Sequence, residues 1–223
     1  MQIHRLKLFC SELPAQLSFY QHMGFELRRE GSLIVMKAGW TQLIFQEQVG
    51  APYYHFAFLI PRGRIQAALE FVKQKGIGLL PFEASEIIEF TNGRAIYFYD
   101  PAGNIVEFIE RPGFAASVKG AFSLTEVLGV NEVGLPSEDP LALAQYLQTI
   151  FGIKPKAPES FRPNFCWVGD HQGVMICVKA GRNWLPTTKP SVVNDLELEW
   201  TDTGGRFFAK VRAGVFEGIK KIP

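Results

Sequence analysis

The chain has 223 residues, 47% hydrophobic and 20% charged, with a formal net charge of +1. That balance is ordinary for a soluble globular protein and excludes a disordered, collagenous or coiled-coil chain. The near-zero charge excludes the electrostatic footprint of a nucleic-acid binder, and at about 100–200 residues per domain the length admits one large domain or two small ones.

Residues 3–10 (IHRLKLFC) alternate, with His4, Leu6, Leu8 and Cys10 on one face and Ile3, Arg5, Lys7 and Phe9 on the other. Alternation predicts a strand. Ser11, Glu12 and Pro14 then open a helix. Leu13, Leu17, Tyr20 and Met23 share one helical face, and Gly24 stops it. Short strands follow at 25–29, 33–37 and 41–46, with turns at Gly31 and Gly39. The order then repeats. A strand at 53–60 leads to a helix at 61–76 with Ile65, Leu69 and Val72 on one face, then to strands within 85–90 and at 95–99 and 105–110. Asp100, Pro101, Gly103 and Asn104 form the turn between the last two, and Asp100 is read as a turn-former.

A third round begins at 130–135. The S-E-x-P signal of residues 11–14 recurs at 137–140, a displacement of 126 residues. Leu143, Leu147 and Ile150 give the helical stripe, Gly152 ends it, and strands follow at 164–168 and 173–179. Residues 195–200 would open a fourth round. After Thr201 only 22 residues remain, too few for a helix of about 11 and strands of about 5 each, so the fourth copy is truncated.

The expected architecture is α+β, with repeated βαβββ modules forming curved mixed sheets and helices outside. Residues 1–112 hold two modules, 113–124 the linker, and 125–223 a degenerate second half made of the third module and the truncated fourth. The truncation is expected to leave part of one sheet uncovered, which favours a homodimer. Cys10, Cys166 and Cys177 are odd in number and lack CxxC spacing; they read as buried packing residues. No apolar run reaches the length of a signal peptide or a membrane helix. A cytoplasmic location, with neither membrane nor nucleic acid as partner, is therefore expected.

Residues 97–110 (YFYDPAGNIVEFIE) are the most specific signal. With LSFYQHMGF at 17–25 and YHFAF at 54–58, they resemble the vicinal oxygen chelate superfamily, which includes glyoxalase I, extradiol dioxygenases and bleomycin- and fosfomycin-resistance proteins. The resemblance implies a sheet curled around a cleft in each pair of modules, and metal ligands on first and last strands. His55 matches a first-strand ligand and Glu107 a last-strand ligand. At the remaining positions the chain departs from the pattern. Arg5, which cannot bind a metal, falls where the first repeat would carry its ligand. His4 lies one residue off, on the opposite face unless a bulge near Cys10 and Ser11 shifts the register. Gln42 and Gln46 are weak alternatives. Asn131 stands at the displaced position in the third repeat and Leu196 near that in the fourth, so the second half is expected to lack a metal site.

A carboxylate at Glu107, among apolar neighbours, needs a partner. Two readings stay open. In the first, His55 and Glu107 hold a divalent ion (Fe, Mn, Ni or Zn), with Glu107 catalytic and the ion acting as Lewis acid on a small bidentate oxygen substrate in a lyase or ring-cleaving dioxygenase. In the second, Arg5 neutralises Glu107 in a metal-free cleft, and the protein binds or sequesters a small molecule without catalysis. Arg5, Tyr54 and Tyr97 are the expected substrate-binding residues. No nucleotide cofactor is implied. Arg5 and His55 are expected to occupy matching positions on paired first strands and to converge with Glu107 in one cleft. Trp184 is read as a loop anchor or as a cover over a pocket mouth.

Overall fold

A computed structural model describes residues 1–115 and 119–222. Residues 116–118 of the expected linker lie outside the described residues. The strands are β1 (Gln2–Cys10), β2 (Leu27–Glu30), β3 (Leu33–Ala38), β4 (Thr41–Glu47), β5 (His55–Arg62), β6 (Ile88–Phe90), β7 (Gly93–Tyr99), β8 (Ile105–Ala115), β9 (Gly129–Ser137), β10 (Phe161–Arg162), β11 (Phe165–Gly169), β12 (Val174–Lys179), β13 (Leu196–Asp202), β14 (Gly205–Arg212) and β15 (Val215–Ile222). The α-helices are α1 (Leu13–Met23), α2 (Ile65–Gln74) and α3 (Pro140–Phe151). Their starts follow the sequence: Pro14 and Pro140 stand in the first turns of α1 and α3, and Gly24 and Gly152 close them in the left-handed conformation.

The strands form two mixed sheets. One has seven strands in the order β15-β14-β13-β1-β4-β3-β2, and the other eight in the order β10-β11-β12-β9-β5-β8-β7-β6. This is the α+β arrangement expected from the repeats. Each sheet draws strands from both sides of residues 113–124. β1 lies between β4 and β13, and β5 lies between β8 and β9, so the first strands of the first two repeats are not neighbours. Residues up to Ala115 continue β8.

One large core cluster packs Leu6, Leu8 and Phe45 of the seven-stranded sheet with Phe56, Phe58 and Phe108 of the eight-stranded sheet and the apolar stripes of all three helices. A second cluster, with Ala57, Tyr97, Ile105, Ile109 and Trp184, lies on the other face of β5, β7 and β8. Opposite faces follow from the two-residue period of a strand.

The fourth repeat has no helix: β13, β14 and β15 form an antiparallel meander. Its apolar face is nevertheless covered. Phe151 at the end of α3 packs its ring 5.0 Å from Trp200, 5.3 Å from Phe207 and 6.1 Å from Phe216. The helix of the third repeat thus covers the sheet of the fourth, which removes the uncovered face offered as the reason for a homodimer. Among the described residues no helix is long and apolar enough to cross a membrane. All three cysteines are free and buried.

Candidate metal centre

The site is built on three adjacent strands. β8 runs parallel to β5 and sets Glu107 beside Ala57; β9 runs antiparallel on the other side and sets Glu132 beside Ala57. The two carboxylates therefore flank the smallest side chain able to stand between them. His55, two residues before Ala57, shares its face. His55 Nε2 lies 3.5 Å from Glu107 Oε2 and 3.8 Å from Glu132 Oε2. One ligand atom from each of the three lies within 4.8 Å of the others, and all three residues are buried.

The turn before β8 aims Glu107. Asp100 accepts hydrogen bonds from Gln16 Nε2 (2.9 Å), Tyr20 Oη (2.9 Å) and the Asn104 amide nitrogen and Nδ2 (3.0 and 2.8 Å). Gly103 supplies the positive φ of 75° that this turn requires. Asn104 Oδ1 accepts from the Tyr54 backbone N–H at 2.7 Å, locking the start of β8 to the start of β5. Asp100 is a turn-former, as the sequence suggests.

His55 is oriented by its other nitrogen. Nδ1 lies 3.1 Å from the Ile105 carbonyl. A carbonyl only accepts, so Nδ1 carries the hydrogen and Nε2 faces the carboxylates. The ring is held between Trp184, 4.9 Å away, and Tyr97, 6.3 Å away. Trp184 reaches it because residue 134 is glycine: a Cβ there would stand 2.6 Å from the indole. Tyr97 is the register partner of Glu107 on β7.

The carboxylates have unlike surroundings. Glu132 bonds Arg111 Nη2, Arg111 Nε donates to Asn131 Oδ1 at 2.7 Å, and Arg111 Nη1 donates to the Asn92 carbonyl at 3.2 Å. Burial pushes Glu132 up, but the Arg111 guanidinium, with His55 and Lys156, outweighs it and holds the carboxyl down at about 2. Neither oxygen of Glu107 has a hydrogen-bond partner among the described residues. Burial and the Glu132 charge push it up to about 8, against the weaker opposing pull of His55, Arg111 and the Tyr97 hydroxyl. Burial lowers His55, but Glu132 and Glu107 reverse this and raise it. Lys156, beyond Arg111, is pushed down to about 8 by burial and by that guanidinium.

No family model matches the chain. It is 25% identical over 114 residues to the metallothiol transferase FosB of Shouchella clausii, which covers 47% of this chain and 77% of the relative. A solved structure from Bacillus subtilis named "putative dioxygenase" superposes over 98% of this chain and 69% of its own with a TM-score of 0.58, at 16% identity. The fold is that of the vicinal oxygen chelate superfamily, and the likeness to the curated relative supports that superfamily. A lactoylglutathione lyase from Agrobacterium tumefaciens matches 48% of this chain and 92% of its own at 23% identity, with a TM-score of 0.40.

Within this superfamily fold, the residues expected at the site separate. His55, Glu107 and Tyr97 come together. Arg5 does not join them: it stands on β1 in the seven-stranded sheet, with Nη1 3.5 Å from Glu197. The convergence of Arg5 with Glu107 fails because β1 pairs with β13 and β4, not with β5. Tyr54 faces away, its hydroxyl donating to the Asp195 carbonyl (2.7 Å) and accepting from the Phe9 N–H (3.2 Å). Gln42 and Gln46 are on β4, beside β1. β1 does shift register, between Ile3 and Arg5 and not near Cys10, and His4 bonds Thr201 at 2.7 Å. The third donor, Glu132, is in the half expected to be empty. A bulge between Ala57 and Phe58 in the pairing with β9 absorbs Asn131 as the extra residue. It brings Asn131 and Glu132 together onto Arg111.

Proposed function

We propose that His55, Glu107 and Glu132 hold a divalent metal ion and that the protein is a metal-dependent enzyme acting on a small oxygen-bearing substrate. The supporting observation is Glu107, a buried carboxylate with no hydrogen-bond partner among the described residues, 3.5 Å from His55. Such a group is costly to bury alone. A cation would satisfy it. Two carboxylates and one imidazole bring two negative charges, and Arg111 offsets one. With oxygen donors in the majority, Mn(II) or Fe(II) suits the set better than a thiolate-seeking metal. The metal-free alternative needs Arg5 at Glu107, and Arg5 is engaged with Glu197.

When bound, the ion supplies Lewis acidity toward a substrate with paired oxygens. The chain's own residues set up that chemistry. Arg111 keeps Glu132 ionised and fixed. The Ile105 carbonyl keeps the His55 lone pair aimed inward. Glu107 would give up its proton to hold a cation. Tyr97 and Trp184 wall the ring and exclude water. The curated relative's name, a metallothiol transferase, supports a group-transfer reaction, and the dioxygenase-named neighbour shares the fold. Metal analysis by mass spectrometry, on protein purified without chelator, tests the reading. Near-stoichiometric Mn or Fe is expected, and it should be lost in His55→Ala and Glu132→Gln. A metal content that neither substitution changes would refute it.

A further inference from the structure

The seven-stranded sheet repeats the frame that carries the site on its neighbour. β1 has a parallel partner, β4, and an antiparallel one, β13, just as β5 has β8 and β9. The row Glu107–Ala57–Glu132 has its counterpart in Ile44–Lys7–Glu197. Arg5, two residues before Lys7, stands where His55 stands. The acid on the antiparallel strand is kept, and so is an arginine beside it: Arg212 Nη2 is 3.6 Å from Glu197. The other three positions have changed character. Histidine has become arginine, alanine lysine, and the partnerless glutamate isoleucine. A donor-only pair at Arg5 and Lys7 cannot ligate a cation.

It is suited to the opposite charge. Arg5, Lys7 and Arg212 surround Glu197 at 3.5, 3.4 and 3.6 Å. One carboxylate offers far fewer acceptor sites than two guanidiniums and an ammonium offer donors. Among the described residues the Arg5 side chain makes only the 3.5 Å ion pair, beyond good hydrogen-bond length. Asp195 takes part of Arg212, at 3.5 Å. All three cations remain partly exposed, so solvent reaches them. An open cavity of about 600 Å³ adjoins this cluster, lined in part by His4, Glu26, Lys37, Gln42 and Arg206. Lys37, Gln42, Arg5 and Glu199 form one cross-strand row, which carries the cavity floor to the arginine. Arg206 is balanced by Glu199 at 2.7 Å. Of the other charges that line the cavity, Arg28 pairs with Glu30 and Lys37 is offset by Glu26, so the excess of positive charge lies with Arg5, Lys7 and Arg212, three cations against Glu197 and Asp195.

We propose that this face is a second ligand site, in which Arg5 and Lys7 bind a small oxyanion, a carboxylate or phosphate group, whose remainder occupies the cavity toward Lys37. Fixed side-chain cations stand where the other sheet offers metal ligands. Arginine grips such a group through two parallel N–H bonds, and the lysine adds a point charge. The site is independent of the metal reading, since it shares no residue with it.

Calorimetric titration of the full chain with inorganic phosphate and, separately, with succinate tests the proposal. At least one ion should bind saturably at a single site. Binding should weaken about tenfold or more in Arg5→Gln and in Lys7→Gln, the loss of roughly one charge-assisted bond, and should persist in His55→Ala. Phosphate alone would assign a phosphoryl ligand, and succinate alone a carboxylate. If Arg5→Gln does not fold, Lys7→Gln and Lys37→Gln carry the test, since both side chains are on the open face. Binding of neither ion, or binding unchanged in the lysine and arginine variants, would overturn the proposal.

Discussion

Arg111 bonds Glu132 on the side of the carboxylate away from His55, so one acid is held by a guanidinium while its other oxygen faces the imidazole. Glu107, four residues before Arg111 on the same strand, receives no such support. Removing the guanidinium should therefore strand a buried charge. Arg111→Met is expected to cost about 3–5 kcal/mol, read from urea unfolding. Adding Glu132→Gln to Arg111→Met should recover much of the loss, because no charge is then left unpaired. Equal additive losses would show that Arg111 acts through packing alone.

The metal-free protein should lose stability as pH rises. Glu107 is raised from 4.5 to about 8, so between those values the folded chain binds more protons than the unfolded one, and stability falls with pH. His55, also raised, acts in the same direction as pH climbs through its folded value. Glu132 is lowered to about 2; its contribution is complete above about 4.5 and is lost as pH falls toward 2. Melting temperature measured in chelator across this range should peak on the acid side of neutrality. Glu107→Gln should flatten the limb above it. Saturating Mn(II) should reverse that limb, because binding displaces protons from the ligands. A melting temperature that rises steadily to pH 8 in chelator would contradict these assignments.

Ala57 offers a way to close the site without touching a ligand. It separates Glu107 from Glu132 across β5. Ala57→Val adds two methyl groups there, for an overpacking cost of about 1–3 kcal/mol. Metal affinity, measured by competition with a chromogenic chelator, should fall far more than stability does. Unchanged affinity in a folded variant would place the ion elsewhere.

Trp184 fills the space between Gly134 and His55. Trp184→Ala should cost about 3–5 kcal/mol and free the His55 ring to rotate. The metal-free variant should show a broadened His55 imidazole resonance by NMR. A sharp, unshifted resonance would argue that the Ile105 hydrogen bond alone fixes the ring.

His55 and Glu107 were legible through the resemblance, because each sits within a local segment that carries it: the apolar YHFAF strand and the aromatic segment with its D-P-A-G-N turn. The helices were equally legible, since Pro14, Pro140, Gly24 and Gly152 mark their ends chemically. Glu132 was hidden by a single inserted residue. Counting from the S-E-x-P repeat reaches Asn131, and a one-residue slip reverses which side chain faces inward. The one available sign was the adjacent polar pair Asn131–Glu132 in an otherwise apolar strand, a break in alternation that a bulge explains. The placing of Arg5 failed for a different reason. Which strands become neighbours is decided over long separations, and nothing within β1 records that its partner is β13.

That partnership bears on how the molecule is made. Gln2 pairs with Thr201, so β1 cannot gain its antiparallel neighbour until about 200 further residues have been synthesised. His55, Glu107 and Glu132 are all available much earlier, and their three strands adjoin without needing β13. Contacts of long sequence separation form slowly because loop closure precedes any reward. The strands that carry the candidate metal site can therefore assemble on a nascent chain while β1 still waits with one edge unpaired.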